Sequence, residues 1–590
     1  MCTTHICTEK EGLILILGDK ELVCPLKGKY IDLLFRGSYF STNGSIICPP
    51  CRDICKIHAT SYSSRFKRSA PDTGLKFLIE YTSSFQSNPL FEQIKTKIVL
   101  PALTYWEQTL GVKKLSSENI VLERQCLNGQ TSYVKWPNGT IGTYCNSGCE
   151  NITRCFTEPI PSNYLNGCKQ LSGNHPTIQG DRGLGIPPNG YLIFVDASQS
   201  EPCQSDDLLA YALACQLEYG TDRPVAGYVN MCPNQLSVTP AEVRSTISTF
   251  IHEMAHALGF SSTSYAFLRD ENGIPRTPRD PNTGLPALGQ DADYIYKAST
   301  STVAQVERIW VSAASTTVRK INAFVLPSVL AEARAHYNCP TMDGMDLEDD
   351  GGAGTAFVHF EKRITEDELM SGSYSKDSYV STLTLAYFKD TGWYTVNMSM
   401  AQIWRFGKNW GCEFVLRSCY EYMRIRLAMN TPITPYCNKL SSTDIKCLNY
   451  DDAFGFCDLQ RQKDKLPPEN QYFTSIDGVA SSEVPYYGGG STLNDWCPIY
   501  RYNCTSSGIK LIIGNQIIDC PSDGDLMPIN AYDNSINVRG LLLCPTCSGV
   551  CSVCSNKRPS LMSRMTCSKI MLLIPWITQY MFFKVRLFMI

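Results

Sequence analysis

The stretch HEMAHALGFSS, from His252 to Ser262, decides how the rest of the chain is interpreted. His252, Glu253 and His256 form an HExxH signature, in which two histidines one helical turn apart can bind the same zinc ion. Gly259 extends it toward a longer signature that ends in a third histidine three residues further on. That last position holds Ser262, so the sequence predicts a zinc site whose third ligand lies elsewhere in the chain.

A capped helix is predicted to carry this signature. Thr239 and Glu242 match a T-x-x-E capping box, and Gly259 provides the stop, so we expect a helix over residues 239–259. On that helix Glu253 lies beside the metal and not on it. Its carboxylate is placed to accept a proton from a zinc-activated water, as a general base.

Two downstream histidines are candidates for the third ligand. His359, in AFVHFEKR, follows the glycine-rich run DDGGAGTA, which can turn the chain sharply back under the helix. It also precedes DELMSG, in which Met370 matches the methionine of a Met-turn beneath the metal. His336, in ARAHYNC, has neither neighbour, so local sequence favours His359 and leaves His336 as the alternative.

Composition limits the class of protein. The chain has 590 residues, enough for several domains, and a net charge of -3, which gives no reason to expect a nucleic-acid partner. Its 28 cysteines are spread over most of the chain and indicate disulfides in an oxidising compartment. Glycosylation sequons fit a secreted glycoprotein; they stand at Asn43, Asn138, Asn151, Asn397 and Asn503.

Hydrophobic runs predict strands and helices in alternation. Residues 75–81, 190–197 and 223–233 are interpreted as strands, and the apolar run DLLAYALACQL, residues 207–217, as a helix. This alternation favours an α+β fold with a mixed sheet. We expect the strand PVAGYVN, residues 224–230, to lie at the edge of a cleft, where an extended substrate can pair with it.

Taken together, the motifs resemble one protein family. HEMAHALGFS, RAHYNC, LEDDGGAGTAFVHFEKR, DELMSG and LAYFKDTGWY are similar to leishmanolysin, a metzincin family of zinc metallopeptidases, from roughly residue 75 to about residue 550. The resemblance implies an insertion between the helix glycine and the third histidine. The third ligand then carries over to His359 and the Met-turn methionine to Met370. It further implies one catalytic Zn²⁺ ion, Glu253 as base and endopeptidase activity on proteins and peptides.

The predicted fold class is α+β, with a metzincin-type catalytic domain, an inserted middle domain carrying the third ligand, and a disulfide-rich, mainly β C-terminal domain. The catalytic domain is expected to hold a mixed sheet and the zinc-binding helix. The predicted ranges are a partial copy of the C-terminal module at 1–58, a linker at 59–74, the catalytic subdomain at 75–265, the inserted subdomain with the third histidine and Met-turn at 266–395, the cysteine-rich domain at 396–556, and a tail with a short apolar segment at 557–590.

An internal repeat underlies the first of those ranges. GLILILGDKELVCP, residues 12–25, aligns without gaps with GIKLIIGNQIIDCP, residues 508–521, and the same offset pairs further cysteines. We interpret it as the tail of one tandem unit joined to the next, or a gene-model fusion. The alternative is two deliberate copies flanking the enzyme. The first residues show no recognisable signal peptide, and the apolar tail is open to interpretation as a processed lipid anchor or a mis-assigned terminus.

Three further features have a structural and a functional interpretation. CPTCSGVCSVC, residues 544–554, is favoured as a disulfide-stapled module over a structural zinc site. Tyr374, four residues after Met370, is favoured as a packing residue over an oxyanion stabiliser. The propeptide cysteine motif typical of the family is missing from residues 1–74, so the basis of latency is open.

Two functions of different class follow. The first is a zinc endopeptidase located outside the cell or at the cell surface, with membrane association, acting on protein and peptide substrates. The second is a catalytically silent surface adhesion or coat protein on the same scaffold. Retention of His252, Glu253, His256 and His359 favours the enzyme, because a silent copy is free to lose any of them. A carboxylate third ligand is disfavoured, since no E-x-x-x-D helix follows at short range.

Overall fold

A computed structural model gives the fold of residues 73–543 and of three short strand segments, Thr8–Glu9, Gly12–Leu13 and Arg586–Met589. Gaps in this description fall at 173–174, 206–207, 240–241, 290–295, 353, 374–377, 441–444, 449–452, 502–508, 514–515, 521–525 and 534–535. The chain divides into two compact units. One comprises Ala70–Leu440 and Asp458–Ile499, and the other Met1–Ser69, Ser441–Cys457 and Tyr500–Ile590.

A four-stranded mixed sheet is the centre of the larger unit. Its strands are β1 (Lys76–Tyr81), β2 (Gly190–Asp196), β3 (Ala210–Leu217) and β4 (Pro224–Met231), in the spatial order β3-β4-β2-β1. β2 runs parallel to both β1 and β4, and β3 is antiparallel to β4. Every residue of β2 and β4 is buried, as expected for strands covered on both faces.

Two long helices are associated with this sheet. The segments Phe91–Ile94 and Lys95–Val99 lead directly into α1 (Leu100–Thr109), which has Pro101 in its first turn. Helix α2 (Val243–Ala257) carries the HExxH signature, and the hydroxyl of Tyr191 in β2 donates to the carbonyl of Ala257 at 2.6 Å. A core cluster that includes Ile120, Leu122 and Leu165 also takes in Leu192 and Phe194 of β2.

A hairpin and further helices follow α2. Strands β5 (Val303–Val311) and β6 (Thr316–Phe324) form an antiparallel pair, and β6 also pairs with β7 (Met345–Asp346). The longer helices are α3 (Pro327–Tyr337), α4 (Thr382–Asp390) and α5 (Cys419–Ala428). Short helices lie at Ser83–Gln86, Ser262–Tyr265, Lys362–Thr365 and Cys412–Val415.

Small sheets and disulfides complete this unit. One sheet has the order His175–Gln179, Cys168–Ser172, Ile141–Cys145, Thr131–Lys135. Two-stranded pairs join Arg154–Cys155 to Glu158–Pro159, Leu110–Val112 to Tyr394–Val396, and Gln460–Arg461 to Tyr487–Gly488. Disulfides link Cys126–Cys145, Cys149–Cys168, Cys155–Cys215, Cys203–Cys232, Cys339–Cys412 and Cys419–Cys497.

The smaller unit is described through its strands. Ile445–Leu448, Ala453–Cys457 and Tyr500–Arg501 form one sheet, and Gln516–Cys520, Ile509–Ile513 and Arg586–Met589 form another. Leu526–Asp533 and Ile536–Leu543 form an antiparallel pair. The repeated module at 1–58, the cluster at 544–554 and the apolar tail lie almost entirely outside the described residues.

The prediction of a mixed α/β chain with many disulfides is confirmed, and three local predictions are wrong. The run 207–217 is not a helix: its last eight residues form β3, where pairing with β4 and the Cys155–Cys215 disulfide override the helix preference of alanine and leucine. PVAGYVN is not an edge strand, because β4 lies between β3 and β2. The signature helix begins at Val243 and not near 239, because the Thr239 hydroxyl bonds the Glu242 side chain.

Candidate active site

Helix α2 presents His252 and His256 on one face. The two residues are four positions apart, so their imidazole rings lie one helical turn apart, with ring centroids separated by 4.7 Å. The indole nitrogen of Trp106, in α1, donates to the carbonyl of Ile251 at 3.1 Å. This contact holds the turn that carries the first histidine against α1.

The end of α2 orients the second histidine. Gly259 has a φ of +120°, in the region that favours glycine, and it stops the helix as the sequence predicts. The chain then turns so that the amide of Phe260 donates to the carbonyl of Ala255 at 2.9 Å. The carbonyl of Phe260 accepts a hydrogen bond from Nδ1 of His256 at 2.6 Å. The helix stop therefore also fixes the ring orientation of His256.

His359 is brought to α2 by the glycine-rich turn that precedes it. Gly351 and Gly354 have φ values of +83° and +91°, which only glycine adopts readily. The carbonyl of His359 accepts from the amide of Glu348 at 3.0 Å, which ties the two ends of the turn together. Nδ1 of His359 is bonded to the carbonyl of Thr355 at 2.9 Å.

The three imidazoles converge on one point. Nε2 of His256 lies 3.1 Å from Nε2 of His252 and 3.2 Å from Nε2 of His359, and the remaining pair is also 3.2 Å apart. All three Nδ1 atoms face backbone carbonyls, which can only accept, so each Nδ1 must carry the proton. Each neutral ring therefore turns an unprotonated Nε2 lone pair toward the other two.

This arrangement fits a zinc ion. Nitrogen ligands at about 2.0–2.1 Å from a tetrahedral Zn²⁺ lie about 3.3 Å from one another, close to the 3.1–3.2 Å separations of the Nε2 atoms. Three converging lone pairs repel one another unless a cation lies between them. Three histidines and one open position are the donor set of catalytic zinc sites.

Burial keeps the three histidines neutral. Burial lowers the pKa of the His359 imidazole to about 3, with a smaller contribution from His252. The pKa of His256 is lowered well below its ordinary value by burial and by the two neighbouring histidines, and the pKa of His252 is lowered by burial. Neutral imidazole is the form that binds metal, so the rings are ready ligands at neutral pH.

Glu253 directly follows the first histidine on α2 and is buried, with 6% of its surface exposed. Burial raises the pKa of its carboxyl to about 8. A carboxyl with a pKa near neutrality can both accept and release a proton in that pH range. A cation held by the adjacent histidines favours the ionised form.

The predicted Met-turn lies against the same histidines. Met370 is fully buried, and its carbonyl accepts from the amide of Phe360, the residue after His359, at 2.8 Å. The preceding carbonyl, of Leu369, accepts from Nδ1 of His252 at 2.6 Å. The segment containing Met370 thus contacts both the α2 histidine and the chain that delivers the third one.

The alternative third histidine is elsewhere. The His336 ring stacks on Trp404 with centroids 3.9 Å apart, and its Nε2 bonds the carbonyl of Phe406 at 2.7 Å. Burial lowers the pKa of His336 to about 4. Its surroundings are those of a packed, neutral core residue. Tyr374 lies outside the described residues.

The groups that are hydrogen-bonded to the histidines were not predicted from the sequence. Three of them are the backbone carbonyls of Phe260, Thr355 and Leu369, and a carbonyl leaves no signature in the residue type. The sequence also gave no prediction for Glu368, a buried carboxylate two residues before Met370. An acidic residue two positions before the predicted Met-turn methionine was the available signal.

Comparison with known proteins agrees with this geometry. A family model described as leishmanolysin, peptidase family M8, matches residues 182–510. The chain belongs to the leishmanolysin family. The match includes α2, the glycine-rich turn and the segment around Met370, so the predicted resemblance is confirmed.

Relatives of the leishmanolysin family align over most of the chain. It is 31% identical over 570 residues to a leishmanolysin-like peptidase of Drosophila pseudoobscura pseudoobscura, covering 84% of this chain and 82% of that protein. Identity to a leishmanolysin-like peptidase of Caenorhabditis briggsae is 33% over 437 residues, covering 72% and 65%. Identity to leishmanolysin of Leishmania major is 28% over 329 residues, covering 56% and 44%.

Membership of the leishmanolysin family makes the chain a metallopeptidase of a zinc-dependent family, with protein or peptide substrates. Its many disulfides indicate an extracellular protein. In the part of the chain that the structure describes, no helix is long and apolar enough to cross a membrane.

Proposed function

We propose that the chain is a zinc endopeptidase with His252, His256 and His359 as the metal ligands, Glu253 as the general base and Met370 as the Met-turn residue beneath the metal. The observation that carries the proposal is the convergence of three unprotonated Nε2 atoms within 3.1–3.2 Å of one another. Glu253, buried next in sequence to the first ligand, supplies the proton acceptor.

The architecture is proposed to be of the metzincin type. The mixed sheet and α2 belong to the catalytic subdomain, 75–265, and the inserted subdomain, 266–395, supplies His359 and Met370. The cysteine-rich domain, 396–556, follows. The other proposed ranges are the module copy at 1–58, the linker at 59–74 and the tail at 557–590. Glycosylation and membrane association stay predictions.

The residues of the chain have distinct roles in the proposed reaction. Zinc, when bound, supplies a Lewis acid that polarises the scissile carbonyl and makes a water molecule more acidic. Glu253 accepts a proton from the attacking water and passes it to the leaving amine nitrogen. Because Glu253 is buried, its carboxylate interacts more strongly with these charges than it would in water.

Strand β3 is the proposed docking edge for substrate. In the described part of the chain it pairs with β4 on one side only, and it is antiparallel to that strand. An extended peptide can add to such an edge through backbone hydrogen bonds. This assignment replaces the central strand β4, whose backbone groups are paired on both sides.

The test is cleavage of casein or a fluorogenic peptide by the full chain and by Glu253→Gln, with zinc content measured for each. The substitution keeps the size of the side chain and removes its basicity, so we expect bound zinc to be retained and the rate to fall about 10²–10⁴-fold. Glu118→Gln is the matched control, because the Glu118 side chain is 71% exposed. Cleavage by zinc-loaded Glu253→Gln at the full rate would refute the proposed role.

A further inference from the structure

A buried carboxylate is bonded to the segment that contacts His252 and the residue after His359. Glu368 is 1% exposed and its side chain accepts hydrogen bonds from four donors. One carboxylate oxygen, Oε2, accepts from the amide of Met370 at 2.6 Å. The other, Oε1, accepts from the hydroxyls of Ser381 and Thr384, both at 2.6 Å, and from the Ser381 amide at 3.3 Å.

These bonds fasten a loop to the start of a helix. Ser381 is the N-cap residue of α4, and its hydroxyl also accepts from the amide of Leu383 at 3.0 Å. A carboxylate at a helix N-terminus is stabilised by the unpaired amides and by the helix dipole. Because α4 is nine residues long and almost entirely buried, it is a firm anchor for the side chain of Glu368.

The loop held in this way ends at the candidate metal ligands. Leu369, next after Glu368, gives the carbonyl that accepts from Nδ1 of His252. Met370, whose amide binds the Glu368 carboxylate, gives the carbonyl that accepts from Phe360, directly after His359. The Glu368 side chain is therefore bonded to the segment that offers two carbonyls, one to His252 and one to the residue after His359.

We propose that Glu368 is a positioning residue for the zinc site, which sets the orientation of the His252 imidazole through the Leu369 carbonyl and holds the His359 branch through the Met370 carbonyl. The inference rests on the proposed function, because it presumes that the three histidines bind zinc. The carbonyl partner of a ligating histidine fixes both its tautomer and its ring orientation, and loss of such a partner lowers metal affinity about 10–100-fold. Glu368 does not bond to a histidine itself; it acts through the backbone of Leu369 and Met370.

The experiment compares the zinc affinity of the full chain with that of Glu368→Ala, Glu368→Gln and Thr384→Val by competition with a chelator. The visible absorption of the Co²⁺-substituted proteins reports ligand geometry independently of activity. We expect affinity to fall about 10-fold or more in Glu368→Ala. The fall is smaller in Glu368→Gln, which keeps one acceptor oxygen, and smallest in Thr384→Val, which removes one donor. The Co²⁺ spectrum changes in the same order.

The matched control is Glu218→Gln. Glu218 is also buried, with 4% of its surface exposed, and its described donors are Ser116, Thr221 and Arg223, none of which is a histidine. We expect it to lower thermal stability and to leave zinc affinity and the Co²⁺ spectrum unchanged. Wild-type affinity and spectrum in Glu368→Ala and Glu368→Gln, or an equal loss in Glu218→Gln, would overturn the inference alone. If the wild-type protein binds no zinc through His252, His256 and His359, the proposed function itself is overturned.

Discussion

Nε2 of His256 and Nε2 of His359 lie 3.2 Å apart although the two residues are 103 positions apart in the chain. The intervening residues include the hairpin of β5 and β6 and helix α3. After α2 the chain turns away at Gly259, and it comes back to the helix through a turn in which Gly351 and Gly354 have positive φ angles. The interrupted signature of the sequence is thus continuous in space.

The first prediction concerns metal content. His359→Ala removes one of the three converging imidazoles of the proposed site, so we expect the zinc content of purified protein to fall from one ion per chain to well below one after dialysis. Elemental analysis measures the ratio, and zinc addition to metal-free protein raises Tm only where the site is intact. His175→Ala is the control, since His175 is exposed on a surface strand. Full zinc occupancy in His359→Ala would show that another residue completes the site.

The grouping of the three histidines was predictable because helical spacing and local motifs encode it. Two histidines four residues apart on a helix must share a face, and the glycines before His359 indicate a sharp turn. The partners of the histidines were not predictable, because any residue type can offer a carbonyl. Neither was the strand order of the sheet, since it depends on pairing between distant segments.

Strand β3 illustrates the limit most clearly. AYALACQL is rich in alanine and leucine, which favour helix by about half a kcal/mol per residue over many others. Pairing of seven of its eight residues with β4, together with the Cys155–Cys215 disulfide, outweighs that preference. Periodicity could not decide the matter, because a short apolar run fits a helix and a strand equally.

The second prediction concerns the helix stop. A Cβ added at Gly259 would lie 2.6 Å from Cζ3 of Trp393, whose indole nitrogen is bonded to the Thr221 carbonyl at 3.0 Å and cannot easily move. We expect Gly259→Ala to lower the free energy of unfolding by about 2–4 kcal/mol. Urea unfolding measures it. Gly273→Ala shares a positive φ but meets no atom within 4 Å, so its cost is limited to about 1–2 kcal/mol. Equal costs for the two would contradict the steric explanation.

The third prediction concerns two disulfides of different loop length. Cys419–Cys497 closes 78 residues and Cys126–Cys145 closes 19. Chain entropy gives stabilisations of about 4.5 and 3.2 kcal/mol for loops of these lengths. Replacing each pair by alanines, one pair at a time, is therefore expected to cost about 1 kcal/mol more for the longer loop. Cys419 and Cys497 are also fully buried, and this adds to the expected loss of stability when that pair is replaced. A larger loss of unfolding free energy for the Cys126–Cys145 pair, measured by urea unfolding, would contradict this expectation.

The fourth prediction concerns pH and His336, which is packed on Trp404 and bonded to the carbonyl of Phe406. Burial, with the nearby charge of Lys408, lowers its pKa from about 6.5 to about 4. The unfolded chain therefore binds the proton more readily than the folded one. The contribution of His336 to stability is complete above pH 6.5 and is lost as the pH falls toward 4, by up to about 3 kcal/mol.

His336→Gln isolates this effect. The glutamine amide can donate to the Phe406 carbonyl at any pH, so the variant lacks the titration while keeping the hydrogen bond. Urea unfolding of metal-free wild type and variant at pH 7 and pH 4.5 gives the measurement, and the zinc-site histidines contribute equally to both proteins. We expect wild type to lose about 2–3 kcal/mol more than the variant between the two pH values. Equal losses would mean that His336 is protonated in the folded protein near its ordinary pKa, which would require a charged imidazole to remain stacked against Trp404 in a buried site.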